Sequence, residues 1–254
     1  MQQNARMYQL KNYMLSMQSH WHINQPLYES VQDSLPAIAR FKAHRASEDL
    51  RKTPLMGHCK KVFPDVFRFP LFRREFCKML LSEIQNMEIE IGFEPNQDED
   101  ELRQIPEIVL AEHVPELHRA MWFVVQNVLN PMFWCLFGRD CNDVASIQIA
   151  NYNLTDKRQG AWHHDESADI SVVVPINSGD YEGGGTEFLR YGKVSPIPTG
   201  HALVFPSFTH MHRGLPVQSG DRYLLVFWLY SRSRLNDMLE ADLRSRKQKP
   251  RPRG

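Results

Sequence analysis

The spacing of apolar residues changes along the chain, and each change predicts an element. Phe72, Phe76, Met79, Leu80, Ile84 and Met87 recur every three or four residues, the period of a helix with one buried face. Leu117, Met121, Val124, Val125, Val128, Leu129 and Met132 repeat that pattern from near Pro115. Pro131 lies inside the second stripe and predicts a kink or an end, because proline lacks the N–H of the helical ladder. Between the two helices, "EPNQDEDELRQIP" is acidic and bounded by prolines, which reads as a solvated loop.

After "GRDCND" the period shortens to two. "ASIQIANY", "DISVVVPIN", "GTEFLRY", "HALVFP" and "RYLLVFWLY" are short, rich in β-branched and aromatic residues, and separated by Gly, Pro, Asp and Ser. These are strand signatures. Ile170, Val172, Val174 and Ile176 alternate on one face. The fold class is therefore mostly β with flanking helices, a sandwich or barrel built from many short strands. Residues 1–60 are polar, Met-rich and interrupted by prolines, and read as an extension of short helices or loosely packed chain. Residues 61–231 read as one domain, with a helical lead-in over 61–140 and a β core over 141–231. Residues 232–254 begin as a weak helix and end in the basic run "RSRKQKPRPRG".

Composition narrows the functional classes. Thirty basic residues balance thirty acidic ones, so net charge makes no case for nucleic acid or an anionic membrane as partner. No run of 18 apolar residues occurs, and the N-terminus lacks the apolar segment of a secretory signal; the expectation is a cytoplasmic chain without a membrane span. Cys59, Cys77, Cys135 and Cys141 show no CxxC spacing and read as free, mostly buried thiols.

The stretch with the most chemistry is "GAWHHDESADISVVVPIN", residues 160–177. On an extended segment, side chains two apart share a side, so His163 and Asp165 converge while His164 faces away. Imidazole nitrogen and carboxylate oxygen form a ligand pair for a borderline divalent metal. A third histidine completes the two-His, one-carboxylate face with open positions used by non-haem Fe(II) oxygenases. "FTHMHRGLP" supplies two candidates, His210 and His212. An HxD tripeptide alone is a weak signal, and the plainer reading is a pair that bonds to itself or caps a turn. Arg222, ten residues after His212, has the planar fork that takes a carboxylate through two charge-assisted hydrogen bonds; its plainer role is a surface ion pair. The glycines of "YEGGGTEF" predict a tight turn with close backbone approach, since the lysine and helix of a phosphate loop are missing.

Taken in order, "HHDES", "DYEGGGTEFLRY", "THMHRGLP" and "GDRYLLVFW" carry a resemblance. The segment from Asp65 to Tyr230 resembles the Fe(II)/2-oxoglutarate-dependent dioxygenases, within them the catalytic domain of procollagen lysyl hydroxylases and the wider prolyl 4-hydroxylase-type group. Upstream, "PDVFRFPLFRREFCKMLLSEI" resembles that family's lead-in strand and helix. The resemblance implies a double-stranded β-helix (jelly-roll) core, and places "YEGGGTEF" beside the iron site, with Glu187 or Arg190 as candidates to reach substrate. It implies that His163, Asp165 and His212 bind Fe(II), that Arg222 binds the C5 carboxylate of 2-oxoglutarate, and that Tyr152 faces this cosubstrate. Its reaction is hydroxylation of a C–H bond, with succinate and CO2 as co-products and ascorbate as reductant. The implied substrate is a peptidyl lysine or proline in a peptide or protein, with a small molecule as the other option.

Thr186 stands where the lysyl hydroxylases carry cysteine, and Arg213 where they carry an acid. Nor does the chain show their signal or glycosyltransferase domains, so collagen itself is discounted. An arginine facing the pocket would also make a cationic substrate less welcome. Three other readings stay open. A nucleic-acid demethylating dioxygenase is favoured by the basic tail and disfavoured by Trp228, where those enzymes carry a further arginine. A catalytically silent metal-binding β-barrel and a cupin-like zinc or manganese enzyme using His163, His164, His210 and His212 are the others. Oligomeric state is not readable from the sequence.

Overall fold

The structure, a computed structural model, describes residues 7–11, 20–44, 48–95 and 104–231. Its strands in chain order are β1 (Lys60–Phe63), β2 (Val66–Pro70), β3 (Glu94–Pro95), β4 (Pro106–Val109), β5 (Asp143–Tyr152), β6 (Ile170–Pro175) and β7 (Glu182–Gly183). There follow β8 (Thr186–Phe188), β9 (Gly192–Val194), β10 (His201–Pro206), β11 (His212–Gly214), β12 (Val217–Ser219) and β13 (Arg222–Tyr230). An eight-stranded sheet runs β1-β2-β10-β6-β13-β5-β4-β3, and two small sheets, β11-β8-β9 and β12-β7, stand apart from it. The helices are α1 (Gln25–His44), α2 (Arg74–Glu90), the short α3 (Leu110–His113) and α4 (Pro115–Phe137).

The period-two pattern gives the large sheet two unlike faces. On β13, Tyr223, Leu225, Phe227 and Leu229 join a core shared with the helices, as do Ile147 and Ile149 of β5 and Ile170, Val172 and Val174 of β6. The register lines these up: Leu225 lies opposite Ile149 and Val174, and Phe227 opposite Ile147 and Val172. Each side chain of that size contributes about 1.5–3 kcal/mol by leaving water. The alternate residues Arg222, Leu224, Val226 and Trp228 turn to the opposite face, beside Tyr152, Ala150 and Gln148 of β5.

Two helical readings can be set against the structure. First, among the described residues before 60 the chain is partly helical: a 20-residue helix, α1, is followed by short 3-10 turns over Leu50–Lys52 and Pro54–His58. Asn24 caps α1 by accepting from the backbone N–H of Leu27, which satisfies one of the donors left open at a helix start. Leu27, Val31 and Ile38 are buried in the helix-side core. Pro36 sits on the exposed side, where water can take the carbonyl it frees. Second, Pro131 does not end α4. A π turn over Val125–Leu129 precedes it, with the N–H of Asn130 bonding the carbonyl of Val125. This wider turn resets the ladder where proline has no N–H to give.

By length and composition alone α4 could cross a membrane; here its Leu117, Met121, Val124, Val128 and Phe133 pack in the core. The free cysteines read from the sequence are buried, except half-buried Cys59. The acidic loop over 96–103 and the tail over 232–254, with its expected weak helix, lie outside the described residues.

Candidate metal centre

His163 enters the site just before β6, and His212 opens β11. The two are joined as an isolated antiparallel bridge, with backbone N–H to carbonyl distances of 3.0 Å in both directions. This brings the imidazole centroids within 4.4 Å. Asp165, two residues on, turns to the same side. Nε2 of His163 is 3.3 Å from Asp165 Oδ1, and Nε2 of His212 is 3.8 Å from Oδ2. One ligand atom from each of the three residues lies within 4.8 Å of the others, the spread three donors adopt around one cation.

The remaining nitrogens fix which atoms face the centre. Nδ1 of His163 is 2.8 Å from the Ala161 carbonyl, and Nδ1 of His212 is 3.0 Å from the His210 carbonyl. A carbonyl can only accept, so both Nδ1 atoms carry the proton and both Nε2 lone pairs point inward. Burial pushes the His212 pKa down to about 4, despite the opposing pull of Asp165; the ring is neutral at pH 7 and able to ligate. Burial acts to raise Asp165, but His212, His163 and the Ser171 hydroxyl outweigh it and hold the carboxyl below its ordinary range. The Ser171 hydroxyl donates to Asp165 Oδ2, and Ser207 Oγ lies 2.7 Å from Ser171 Oγ. Both serines are fully buried. Their chain of hydroxyls occupies one carboxylate oxygen and leaves the other for a metal.

His210 and His164 stand outside this constellation. Nε2 of His210 is 3.1 Å from the Pro64 carbonyl and its Nδ1 is 3.0 Å from the Thr209 hydroxyl, so neither nitrogen serves the centre. His164 faces away and stacks on Phe208. A four-histidine site is therefore not formed.

The three ligands open onto a cleft of roughly 640 Å³, counting its mouth. Arg222 lies in its wall, only 4% exposed, and its Nε and Nη1 have no hydrogen-bond partner among the described residues. A buried guanidinium left in that state is costly; a carboxylate entering the cleft would satisfy it. The surface ion pair with Asp221 does not form. Tyr152 lies opposite Arg222 across the β5–β13 ladder, and its ring centroid is 5.1 Å from Arg222 Cζ. The donor set therefore fits Fe(II), and the unpaired guanidinium fits the far end of a dicarboxylate.

Gly183, Gly184 and Gly185 have φ of +77°, +70° and +104°, and a Cβ on any of them would press into a neighbour. For Gly183 that neighbour is the Pro216 carbonyl, and for Gly185 it is the Val194 carbonyl. These glycines turn the chain sharply beside Arg222, as their spacing predicted. Glu187 is not turned to the cleft: it accepts two bonds from Arg213, at 2.8 and 2.6 Å. Arg213 also lies over Trp162, 4.6 Å from the ring centroid, so its charge is offset at the rim. Arg190 stacks on Tyr191. Sequence reading missed the Ser171–Ser207 support. Its one available signal was a lone polar residue on an apolar strand, at a position facing the HxD side.

No family model matches the chain. Over 179 residues it is 29% identical to rat multifunctional procollagen lysine hydroxylase and glycosyltransferase LH3, covering 67% of this chain and 24% of that protein. Human procollagen-lysine,2-oxoglutarate 5-dioxygenase 2 is 25% identical over 225 residues, which cover 82% of this chain and 29% of that one. The chain thus spans about a quarter of the length of these curated relatives. Among solved structures, a Trichoplax adhaerens prolyl hydroxylase in complex with a hypoxia inducible factor peptide fragment matches 80% of this chain and 91% of its own. Its TM-score is 0.54 at 14% identity. A non-heme α-ketoglutarate-dependent carbocyclase from nogalamycin biosynthesis matches 74% of this chain and 85% of its own, with a TM-score of 0.53 at 11% identity. The fold is that of the 2-oxoglutarate–Fe(II) oxygenases, a jelly-roll core with flanking helices, as the motif order implied.

Proposed function

We propose that the protein is an Fe(II)- and 2-oxoglutarate-dependent dioxygenase that hydroxylates a C–H bond on a peptidyl side chain, lysine first and proline next. One observation carries the reading: His163, Asp165 and His212 present ligand atoms within 4.8 Å of one another, in a cleft that also holds the unpaired Arg222. His163, Asp165 and His212 would hold the iron, and Arg222 the C5 carboxylate of 2-oxoglutarate. Together, metal and cosubstrate supply the oxidation: O2 is consumed, 2-oxoglutarate becomes succinate and CO2, and one oxygen atom enters the substrate. Ascorbate would serve as the reductant that keeps the metal ferrous.

The chain's own residues do the rest. The buried serines hold Asp165, and the backbone bridge holds His163 against His212. Leu224, Val226 and Val173 give the cleft an apolar wall that limits water around the reacting atoms. Two features support a polypeptide substrate. Phe208 and Leu189 are 63% and 61% exposed, and both lie close to the ligand strands, Phe208 on His164 and Leu189 bonded to Met211. On this reading the two exposed apolar side chains would meet the peptide as it enters the cleft. The relatives named for procollagen lysine favour lysine, and the Arg213 charge that would disfavour a cation is paired with Glu187.

The test is incubation with Fe(II), ascorbate, 2-oxoglutarate and a panel of lysyl and prolyl peptides. Succinate should form together with a mass gain of one oxygen on a peptide. Iron-loaded protein that forms no succinate under any of these conditions would contradict the proposal.

A further inference from the structure

Among the described residues, three formally charged side chains line the metal cleft: Asp165, Arg222 and Glu107. The reading above gives the first to the metal and the second to a dicarboxylate. Glu107 is left without a task. A carboxylate drawn into a wall that also holds Ile105, Ala150, Leu224 and Val226 gives up part of its hydration, a cost that a ligand of opposite charge offsets.

The sheet puts this carboxylate where a ligand can meet it. On β4, Ile108 is 1% exposed and packs in the helix-side core, so alternation turns Glu107 to the cleft. Its neighbour across the ladder is Ala150, which in turn lies opposite Leu224; the small side chain leaves the space over that row open. Gln148, buried in the same wall, fixes the aim. Its Nε2 donates to Glu107 Oε2, and its Oε1 accepts from the Ser146 hydroxyl at 2.9 Å. Gln148 is a neutral partner, so this relay orients the carboxylate without cancelling its charge. Ser146 lies opposite Trp228, and Trp228 opposite Ser171, which donates to Asp165. Relay and metal support thus share one face of the sheet. The strand order β6-β13-β5-β4 sets the backbones of β6 and β4 roughly 14 Å apart, which leaves the cleft between them for a substrate side chain.

We infer that Glu107, aimed by Gln148 and Ser146, receives the cationic end of the substrate side chain and selects a lysyl over a prolyl or aliphatic residue. An ammonium has three donors and no acceptor, and its bond to a carboxylate is charge-assisted and stronger than a neutral one. The other charges agree with this: Asp165 faces the metal, and Arg213 at the rim is tied to Glu187. The inference rests on the dioxygenase reading above and names the residue that sets its substrate class. Glu107 is a specificity residue: it touches the far end of the substrate side chain and not the metal.

Calorimetric binding to the full chain loaded with Mn(II) and 2-oxoglutarate tests this without turnover. The probes are acetylated, amidated Gly-Gly-X-Gly-Gly peptides in which X is lysine, proline or norleucine, the last having the carbon stem of lysine without the ammonium. The parent should bind the lysyl peptide roughly ten- to hundredfold more tightly than the norleucyl one. Glu107→Gln should bring that ratio to about one. Glu94→Gln removes the same charge from the exposed Cα partner of Glu107 on β3 and should keep the ratio. A parent without a preference for lysine would overturn the inference, as would a preference that survives Glu107→Gln or is lost equally in Glu94→Gln. Loss of Mn(II) binding in Glu107→Gln would make the residue structural and overturn it too. A parent that binds Mn(II) but not 2-oxoglutarate would instead remove the dioxygenase reading, so the two failures are told apart.

Discussion

The two faces of the large sheet are built from the same strands, one residue apart, and behave as different materials. Toward the helices, Ile147, Ile149, Val172, Val174, Leu225 and Phe227 interlock in a dry core. Toward the cleft, Gln148, Tyr152, Ser171, Arg222 and Trp228 alternate with Ala150, Val173, Leu224 and Val226. The first face gains from every apolar atom it buries. The second leaves Arg222 Nε and Nη1 without hydrogen-bond partners among the described residues, a cost that an entering carboxylate would offset. Stability therefore resides in one face and chemistry in the other, so substitutions on the two should give separable phenotypes.

The largest separation is expected at the metal. Asp165→Ala removes the only anionic ligand of the three and should abolish succinate formation while the protein stays folded. Iron content and succinate release measure it, and full 2-oxoglutarate turnover by the variant would remove Asp165 from its role. On the helix face, Phe227→Ala leaves a cavity under a fully buried ring and should cost about 3–5 kcal/mol in denaturant unfolding. Its 2-oxoglutarate affinity at temperatures where it remains folded should be that of the parent; a large loss of affinity would show that the faces are coupled.

The helix side holds an exception that sharpens the contrast. His22 is 1% exposed, packed against Phe72 and Phe76, with neither ring nitrogen bonded among the described residues. Burial, then the neighbouring His20, lowers its pKa from 6.5 to about 4. Folded His22 stays neutral while the unfolded chain takes up a proton below pH 6.5, so stability should fall as pH drops from 6.5 toward 4. The loss attributable to this residue is on the order of 3 kcal/mol, and unfolding curves of His22→Phe across that range should be correspondingly flatter.

The smallest expected effect has an unusual sign. Arg222→Met removes a buried, unpaired charge and should stabilise the ligand-free protein by about 1–3 kcal/mol, while weakening 2-oxoglutarate far more than iron. Thermal denaturation with and without 2-oxoglutarate shows both effects. A destabilised ligand-free variant would mean that Arg222 already serves the fold.

How much of this was legible beforehand follows from the kind of signal involved. The two faces of β6 were readable because Ile170, Val172, Val174 and Ile176 repeat with the period of a strand. The HxD pair was readable because its geometry is local. Choosing His212 over His210 was not a local matter: it depends on Pro64, some 146 residues away, whose carbonyl engages His210. Ser171 and Ser207 come together only through the pairing of β6 with β10. The effect of Pro36 and Pro131 was not legible because breaking power depends on context: one lies on a wet face and the other follows a π turn.

Everything assigned to the cleft turns on one cation bound by three side chains with a dicarboxylate beside it. The direct measurement is anaerobic absorption spectroscopy of the Fe(II)-loaded chain titrated with 2-oxoglutarate. A visible charge-transfer band should rise and saturate at one iron and one 2-oxoglutarate per chain, and should be absent from Asp165→Ala. No band in the iron-loaded parent, or the same band in the variant, would contradict a metal held by His163, Asp165 and His212.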